Sequence, residues 1–289
     1  MSTILITGAS GFVGKALAVE LARDHAVVCM SRSRPNVDLP WVERQPHAPA
    51  GISWVRGDFG MFEDLRRLDP YPIDVVVHLG AVTGGCLERD GMLVNVEGTR
   101  CLMRYLIDKG CKKFVMASSI AVVGLQNIDF RPLQLPIPDE HPCLDRDGYG
   151  FSKYLMEEVT RYYQRQNDCL DVINLRLSSV CTDLASAPPG GVHPLGEWSL
   201  ATITMMTLRD AVRAFKLAAE AAHSPGLRIL NAAAPKVWAS APTGGILRHW
   251  WGPDVDLSYF DAPGNAFASV FDVNKIRTEL GFAALDLPA

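Results

Sequence analysis

The sequence predicts an α/β protein built on a doubly wound parallel sheet. Three observations carry this expectation. Apolar strand-like runs alternate with segments of helical periodicity along most of the 289 residues. The strand runs are continuously apolar, as in VVVHL at Val75–Leu79, which marks strands covered on both faces. A glycine-rich turn joins the first strand to the first helix. Right-handed crossovers between parallel strands then wind helices onto both faces of the sheet.

Ile4–Thr7 is a short buried strand. The helix after it covers Lys15–Arg23, with Ala16, Leu17, Val19, Leu21 and Ala22 as its apolar residues. Ala26–Met30 is the next strand, a strand-like segment ends at Gly57-Asp58, and Val75–Leu79 follows. Val94–Lys109 reads as a helix stopped by Gly110. Phe114–Ser118 is a strand, and Ser152–Gln166 is a long helix carrying Leu155, Met156, Val159, Tyr162 and Tyr163 at helical spacing. Leu170–Leu177 and Leu227–Leu230 are further strands.

Two segments break the rhythm. Arg34–Gly51 holds four prolines, and Leu184–Leu195 holds Pro188-Pro189-Gly190-Gly191 and Pro194, so both are loops. The second is expected to cross near the carboxyl ends of the strands, where such folds bind ligands. The expected organisation is a dinucleotide-binding domain over 1–176, completed by about 205–235, and a small C-terminal substrate-binding region from 177–204 and 236–289.

Composition excludes other classes. With 48% apolar residues and a net charge of −4 the chain is not intrinsically disordered. No apolar run reaches the roughly 18 residues that span a bilayer. The 28 basic and 32 acidic residues give no electrostatic case for a nucleic-acid partner. Ser2–Thr7 already reads as strand with no basic region before it, so no signal peptide is expected. Seven cysteines without a C-x-x-C pair fit reduced thiols and a cytoplasmic setting. Histidines and cysteines are too scattered for a zinc site, and no metal is expected.

Gly8-Ala9-Ser10-Gly11-Phe12-Val13-Gly14 has the spacing G-x-x-G-x-x-G between a strand and a helix. Glycine allows the tight turn and close backbone approach to a pyrophosphate, and the helix N-terminus offers free N–H groups and a favourable dipole. At the end of the second strand an acid would accept from the adenosine ribose hydroxyls. Cys29-Met30-Ser31-Arg32-Ser33-Arg34 has none there. Ser31, Arg32 and Arg34 instead suit a 2′-phosphate, so NADP(H) is expected to be preferred over NAD(H), the alternative being a solvated basic loop. Asp58 either accepts from the adenine amino group or serves as a turn aspartate.

Tyr149-Gly150-Phe151-Ser152-Lys153 sets a tyrosine and a lysine one helical turn apart. A nearby ammonium favours the phenolate, so the reading expects a lowered Tyr149 pKa and proton exchange with an alcohol or carbonyl oxygen. Together with the glycine loop, His78-Leu79-Gly80-Ala81, Asn95-Val96-Glu97-Gly98-Thr99, Ser118-Ser119 ahead of Gly124, Leu175-Arg176, and the tail Phe271–Lys275 followed by Glu279–Phe282, this chain resembles the extended short-chain dehydrogenase/reductase family, the NAD-dependent epimerase/dehydratase group.

That resemblance implies a Rossmann fold and a role for each matching position. Tyr149 is the acid/base, Lys153 binds the nicotinamide ribose and tunes Tyr149, and Ser119 holds the reacting oxygen. Ser10, Phe12, Val13, Phe59, Leu79, Gly80, Ala81, Asn95, Ala117, Ser118, Leu177 and Ser179 join the glycine loop in lining the cofactor site. Thr83, Ile120 and Ser178, with His193, Trp198 and Thr202, are candidate substrate contacts; core or loop packing is the alternative for the last three, and a capping or turn role for Ser178 and Ser179. In relatives the helices corresponding to Val94–Lys109 and Ser152–Gln166 form a dimer, for which Leu102, Tyr105, Leu155 and Tyr162 are candidates.

Departures from the family pattern narrow the chemistry. Ile120-Ala121 stand where sugar dehydratases carry Asp-Glu, so water elimination is not expected. Only 31 residues, 177–207, separate Arg176 from the next family helix, starting at Leu208, which leaves little room for a uridine diphosphate clamp. In layout the chain is similar to uronate and sugar-acid dehydrogenases, but Glu197-Trp198-Ser199-Leu200 supplies no arginine for a substrate carboxylate. The expected function is hydride transfer to or from a small polar, sugar-derived alcohol, ketone or lactol. The alternatives are a sugar-nucleotide epimerase or keto-sugar reductase, and a non-catalytic NADP-binding sensor.

Overall fold

The computed structural model describes residues 1–33, 51–183, 185 and 203–287. Its centre is a seven-stranded parallel sheet in the order β3-β2-β1-β4-β5-β6-β9. These strands are β1 (Thr3–Thr7), β2 (Ala26–Ser31), β3 (Ile52–Arg56), β4 (Val75–His78), β5 (Lys113–Ser119), β6 (Asp171–Leu177) and β9 (Gly226–Ala232). A small separate pair joins β7 (Val180–Cys181) to β8 (Met206–Thr207). The apolar runs become central strands because both their faces are covered: Leu5, Ile6, Val76, Val77, Phe114 and Val115 are all buried.

Helices cover the two faces. On one side α1 (Phe12–Leu21) and α6 (Leu208–Glu220) pack Leu17, Leu21, Phe215 and Ala218 over the sheet. On the other, α4 (Gly98–Asp108) and α5 (Gly148–Gln166) contribute Leu102, Leu106, Met156 and Tyr163. Short helices α2 (Phe62–Leu65) and α3 (Glu88–Asp90) stand before α4. The predicted helix over Val94–Lys109 is regular only in α4, because Gly91–Glu97 winds as a π-helix. Gly110 ends this segment with φ +91°, as expected. The helix predicted over Ser152–Gln166 begins four residues earlier, with Asp147 capping it through the Tyr149 amide.

Residues after β9 form α7 (Thr243–Trp251), α8 (Ser258–Asp261) and α9 (Asn274–Leu280). Leu247, Trp251, Leu257, Phe260 and Phe271 make a third buried cluster with Ile120, Val123 and Leu125. That cluster begins right after β5 and so forms the far wall of the site. Trp251 packs here. Arg34, His193, Trp198 and Thr202, and most of the two Pro-rich segments, lie outside the described residues.

Candidate active site

Strand order reverses between β1 and β4, and a cleft of about 760 Å³ opens at the carboxyl ends of the strands there. Gly8 enters it with φ +69°, and a Cβ on it would sit 2.6 Å from the Gly80 nitrogen. Glycine is therefore required where the loop crosses the end of β4. A Cβ on Gly14 would lie 2.5 Å from the Gly8 carbonyl, so this glycine lets the helix start against the turn. Helix α1 begins with no side-chain cap and no acid in its first turn. Its first amides thus face the cleft beside Ser10, Gly11, Phe12 and Val13, a positive end suited to a diphosphate. Around Gly11 only the Gly8 carbonyl approaches the missing Cβ, at 3.1 Å, which leaves the backbone open to close contact.

Ser31 and Arg32 line the opposite end of the cleft. Arg56, which the sequence reading missed, donates from Nε to the Arg32 carbonyl, and Arg67 donates to the Arg56 carbonyl at 2.7 Å. Register between β2 and β3, Ser31 opposite Arg56, brings the Arg56 guanidinium to the Arg32 backbone, so no local motif could have disclosed it. Asp58 takes the turn role: its carboxylate accepts from the Gly60 amide at 2.9 Å, and it does not line the cleft. Phe59 does line it, and its ring meets His78 edge-on at 4.8 Å.

Ser119 ends β5, and Tyr149 and Lys153 rise from the first turns of α5; all three line the cleft beside Leu79, Gly80, Ala81 and Ala117. Lys153 is buried and donates from Nζ to the Ala117 carbonyl at 2.7 Å. Burial pulls its pKa down to about 8, against the opposing pull of Glu157 and then Cys86. The Tyr149 phenol is pushed upward by burial, while a hydrogen bond with Ser119 acts the other way. This reverses the expectation of a lowered pKa. Lys153 Nζ lies 6.0 Å from the ring centroid, its bond goes to a carbonyl, and desolvation of the phenol prevails.

Thr83, Ile120, Leu177, Ser178 and Ser179 also line the cleft. One predicted cofactor residue, Asn95, is engaged elsewhere. Asn95 is buried and bridges the Val82 amide, the Val82 carbonyl and the Ser152 hydroxyl, and it does not line the cleft. It fixes the loop after β4 against α5. Ser118 lines the cleft, and its hydroxyl donates to Glu157 at 2.6 Å. Leu102 is fully buried in the chain's own core, which removes it from the dimer candidates. Tyr105 donates its hydroxyl to Asp69, while Tyr162 is exposed and Leu155 half-buried. Among the described residues no group of His, Cys, Asp or Glu could hold a metal, and no helix is long and apolar enough to cross a membrane.

Residues 4–192 match the profile described as the NAD dependent epimerase/dehydratase family. The chain belongs to this family. Among curated relatives, UDP-glucose 4-epimerase 4 of Oryza sativa subsp. japonica is 26% identical over 210 residues, covering 67% of this chain and 51% of that protein. The chain thus spans about half the length of this relative. Among solved structures, a short-chain dehydrogenase/reductase superfamily protein from Agrobacterium tumefaciens with bound NAD has a TM-score of 0.70 at 22% identity, covering 98% of this chain and 92% of that one. A mutated uronate dehydrogenase has a TM-score of 0.63 at 24% identity, covering 99% and 88%. These likenesses establish the Rossmann-type fold.

For this epimerase/dehydratase family member the least legible part of the site is a buried ion pair behind Lys153. Arg176 donates to both Glu157 carboxylate oxygens at 2.9 Å and to the carbonyl of Asp139 at 3.0 Å. Glu157 stands one turn beyond Lys153 on α5, so the pair joins β5, α5 and β6 directly beneath the site. A glutamate in an amphipathic helix reads as surface in a sequence, and only the register of β6 reveals its partner.

Proposed function

We propose that this chain is an NAD(P)-dependent oxidoreductase of the short-chain type that prefers NADP(H) and interconverts a small polar, sugar-derived alcohol or lactol with its carbonyl. The observation that carries the reading is the meeting of Ser119, Tyr149 and Lys153 in the cleft that also holds the glycine loop. A nicotinamide dinucleotide bound there supplies hydride exchange with the substrate carbon. The glycine loop and the start of α1 would hold its diphosphate, and Ser31 and Arg32 a 2′-phosphate. Ser119 orients the substrate oxygen, and Tyr149 takes the proton from that oxygen in oxidation and returns it in reduction. Its raised pKa keeps the phenol protonated at neutral pH, the state needed for reduction.

The test is a purified chain offered NADP+ or NAD+ with alcohols, and NADPH or NADH with carbonyls, while nicotinamide absorbance is followed. Net, substrate-dependent cofactor turnover supports the reading, with NADP(H) the better cofactor. The relatives named UDP-glucose 4-epimerase favour a second reading, sugar-nucleotide epimerisation. Conversion of UDP-glucose without net redox would select it. We further propose a homodimer through α4 and α5, with exposed Tyr162 at the contact, and a concentration-independent monomer mass in light scattering would refute it.

A further inference from the structure

The substrate end of the cleft is chemically one-sided. Thr83, Ser119, Tyr149 and Ser178 offer hydroxyls, and Val94, Ile120 and Leu125 an apolar wall. The Ser178 hydroxyl is buried and has no hydrogen-bond partner among the described residues. Of the described lining residues only Arg32 and Lys153 are cationic. Arg32 stands at the end of β2, the ribose end of the cleft, and Lys153 is committed to the Ala117 carbonyl.

The rim beside Tyr149 is acidic. Helix α3 lies against the start of α5, since a Cβ on Gly148 would sit 2.9 Å from the Glu88 Cα. This brings Glu88 and Asp90 to the end of α5 that carries Asp147, its cap, and Asp145, which accepts from the Asp147 and Phe151 amides. Arg89 and Arg146 offset two of these four carboxylates, and Arg146 lies over the Phe130 ring, 4.8 Å from its centroid. Cys86 senses the surplus: its thiol is held up by burial and then by Asp147 and Asp90, and it biases Tyr149 and Lys153 in turn.

We propose that this site selects an uncharged hydroxy or carbonyl compound and rejects carboxylates and nucleoside diphosphates, because among the described residues its substrate end is lined by hydroxyls on an apolar wall with no uncommitted cation in the lining, and its rim carries more carboxylates than guanidinium groups. An anion entering there would lose water and meet hydroxyl donors but no counter-charge, and a buried charge without one is costly. A neutral polyol or lactol loses less, since its hydroxyls exchange water for Thr83, Ser119 and Ser178.

The inference rests on the oxidoreductase reading, and the test separates the two. NADP+ binding is first measured by calorimetry on the whole chain. Three neutral aldoses, their uronic acids and UDP-glucose are then compared for turnover and for thermal protection of the cofactor-loaded protein. The expected result is a kcat/KM at least roughly tenfold higher for the neutral member of each pair, with no protection by UDP-glucose. Equal or better use of a uronic acid or of UDP-glucose overturns the inference while leaving the cofactor reading intact. Failure of every neutral member to bind or react overturns it too, and absent NADP+ binding overturns the reading beneath it. Glu88→Gln with Asp90→Asn should raise the anionic-to-neutral ratio roughly two- to fivefold at low salt, less at high salt. An unchanged ratio overturns the electrostatic half of the proposal.

Discussion

Lys153 stands 6.0 Å from the centroid of the Tyr149 ring and gives its 2.7 Å hydrogen bond to the Ala117 carbonyl. Its ammonium is therefore anchored to the end of β5, inside the cleft, and not to the phenol.

That anchoring gives a pH prediction. The folded-state pKa of Lys153 is about 8, below the ordinary 10.5. The unfolded chain thus holds the extra proton between these values, and the contribution of Lys153 to stability rises with pH across that window. Cofactor contacts that use the ammonium change the other way and weaken as pH passes about 8. Calorimetric titration of NADP+ from about pH 7 to about pH 10 should show this loss, and Lys153→Met should abolish it. A flat wild-type profile would remove the ammonium from cofactor binding.

Tyr149→Phe keeps the ring packed and removes the transferable proton. General acid–base catalysis contributes about 10²–10⁴ in rate, so turnover should fall by that order while NADP+ affinity stays near wild type. Steady-state kinetics beside calorimetry checks both halves, and unchanged turnover would assign the proton to another group.

Arg32→Ala should weaken NADP+ roughly 10- to 150-fold, the equivalent of about 1.5–3 kcal/mol for a charge-assisted hydrogen bond. NAD+ presents no charge there and should change far less. Arg56, bonded to the Arg32 carbonyl, retains part of the positive field and places the effect toward the lower end. Titrating both cofactors into wild type and variant decides it: wild-type preference for NAD+, or equal losses, refutes the NADP assignment.

Arg176→Met strands Glu157 in the interior, where its carboxylate is 2% exposed. Leaving a buried charge unpaired costs about 3–5 kcal/mol, measurable as a shift in urea midpoint. The double variant Glu157→Gln, Arg176→Met should recover part of that loss. Glu157→Gln alone also removes the carboxylate that holds the Lys153 pKa up, so the pH at which NADP+ affinity falls should move below about 8. Equal stability of single and double variants would show that the pair is not coupled.

The sequence by itself determined most strands of the central sheet and which residues meet in one cleft. Continuous apolar runs, a glycine at each tight crossing and helical spacing are local signals, and they placed β1, β2, β4, β5, β6 and β9 within a few residues. The order of motifs along the chain placed Ser119, Tyr149 and Lys153 in one site for the same reason: parallel strands all end on one edge, so motifs at strand ends converge. Tertiary structure alone decided the rest. Asn95 and Asp58 look like ligand contacts in a motif, yet their partners are Val82, Ser152 and Gly60. Arg56 joins Arg32 only through the register of two strands, and Arg176 meets Glu157 only because β6 runs beneath α5. The direction of the Tyr149 shift was also beyond local reading, because desolvation depends on everything packed around a group, whereas a spacing of four residues reports one neighbour.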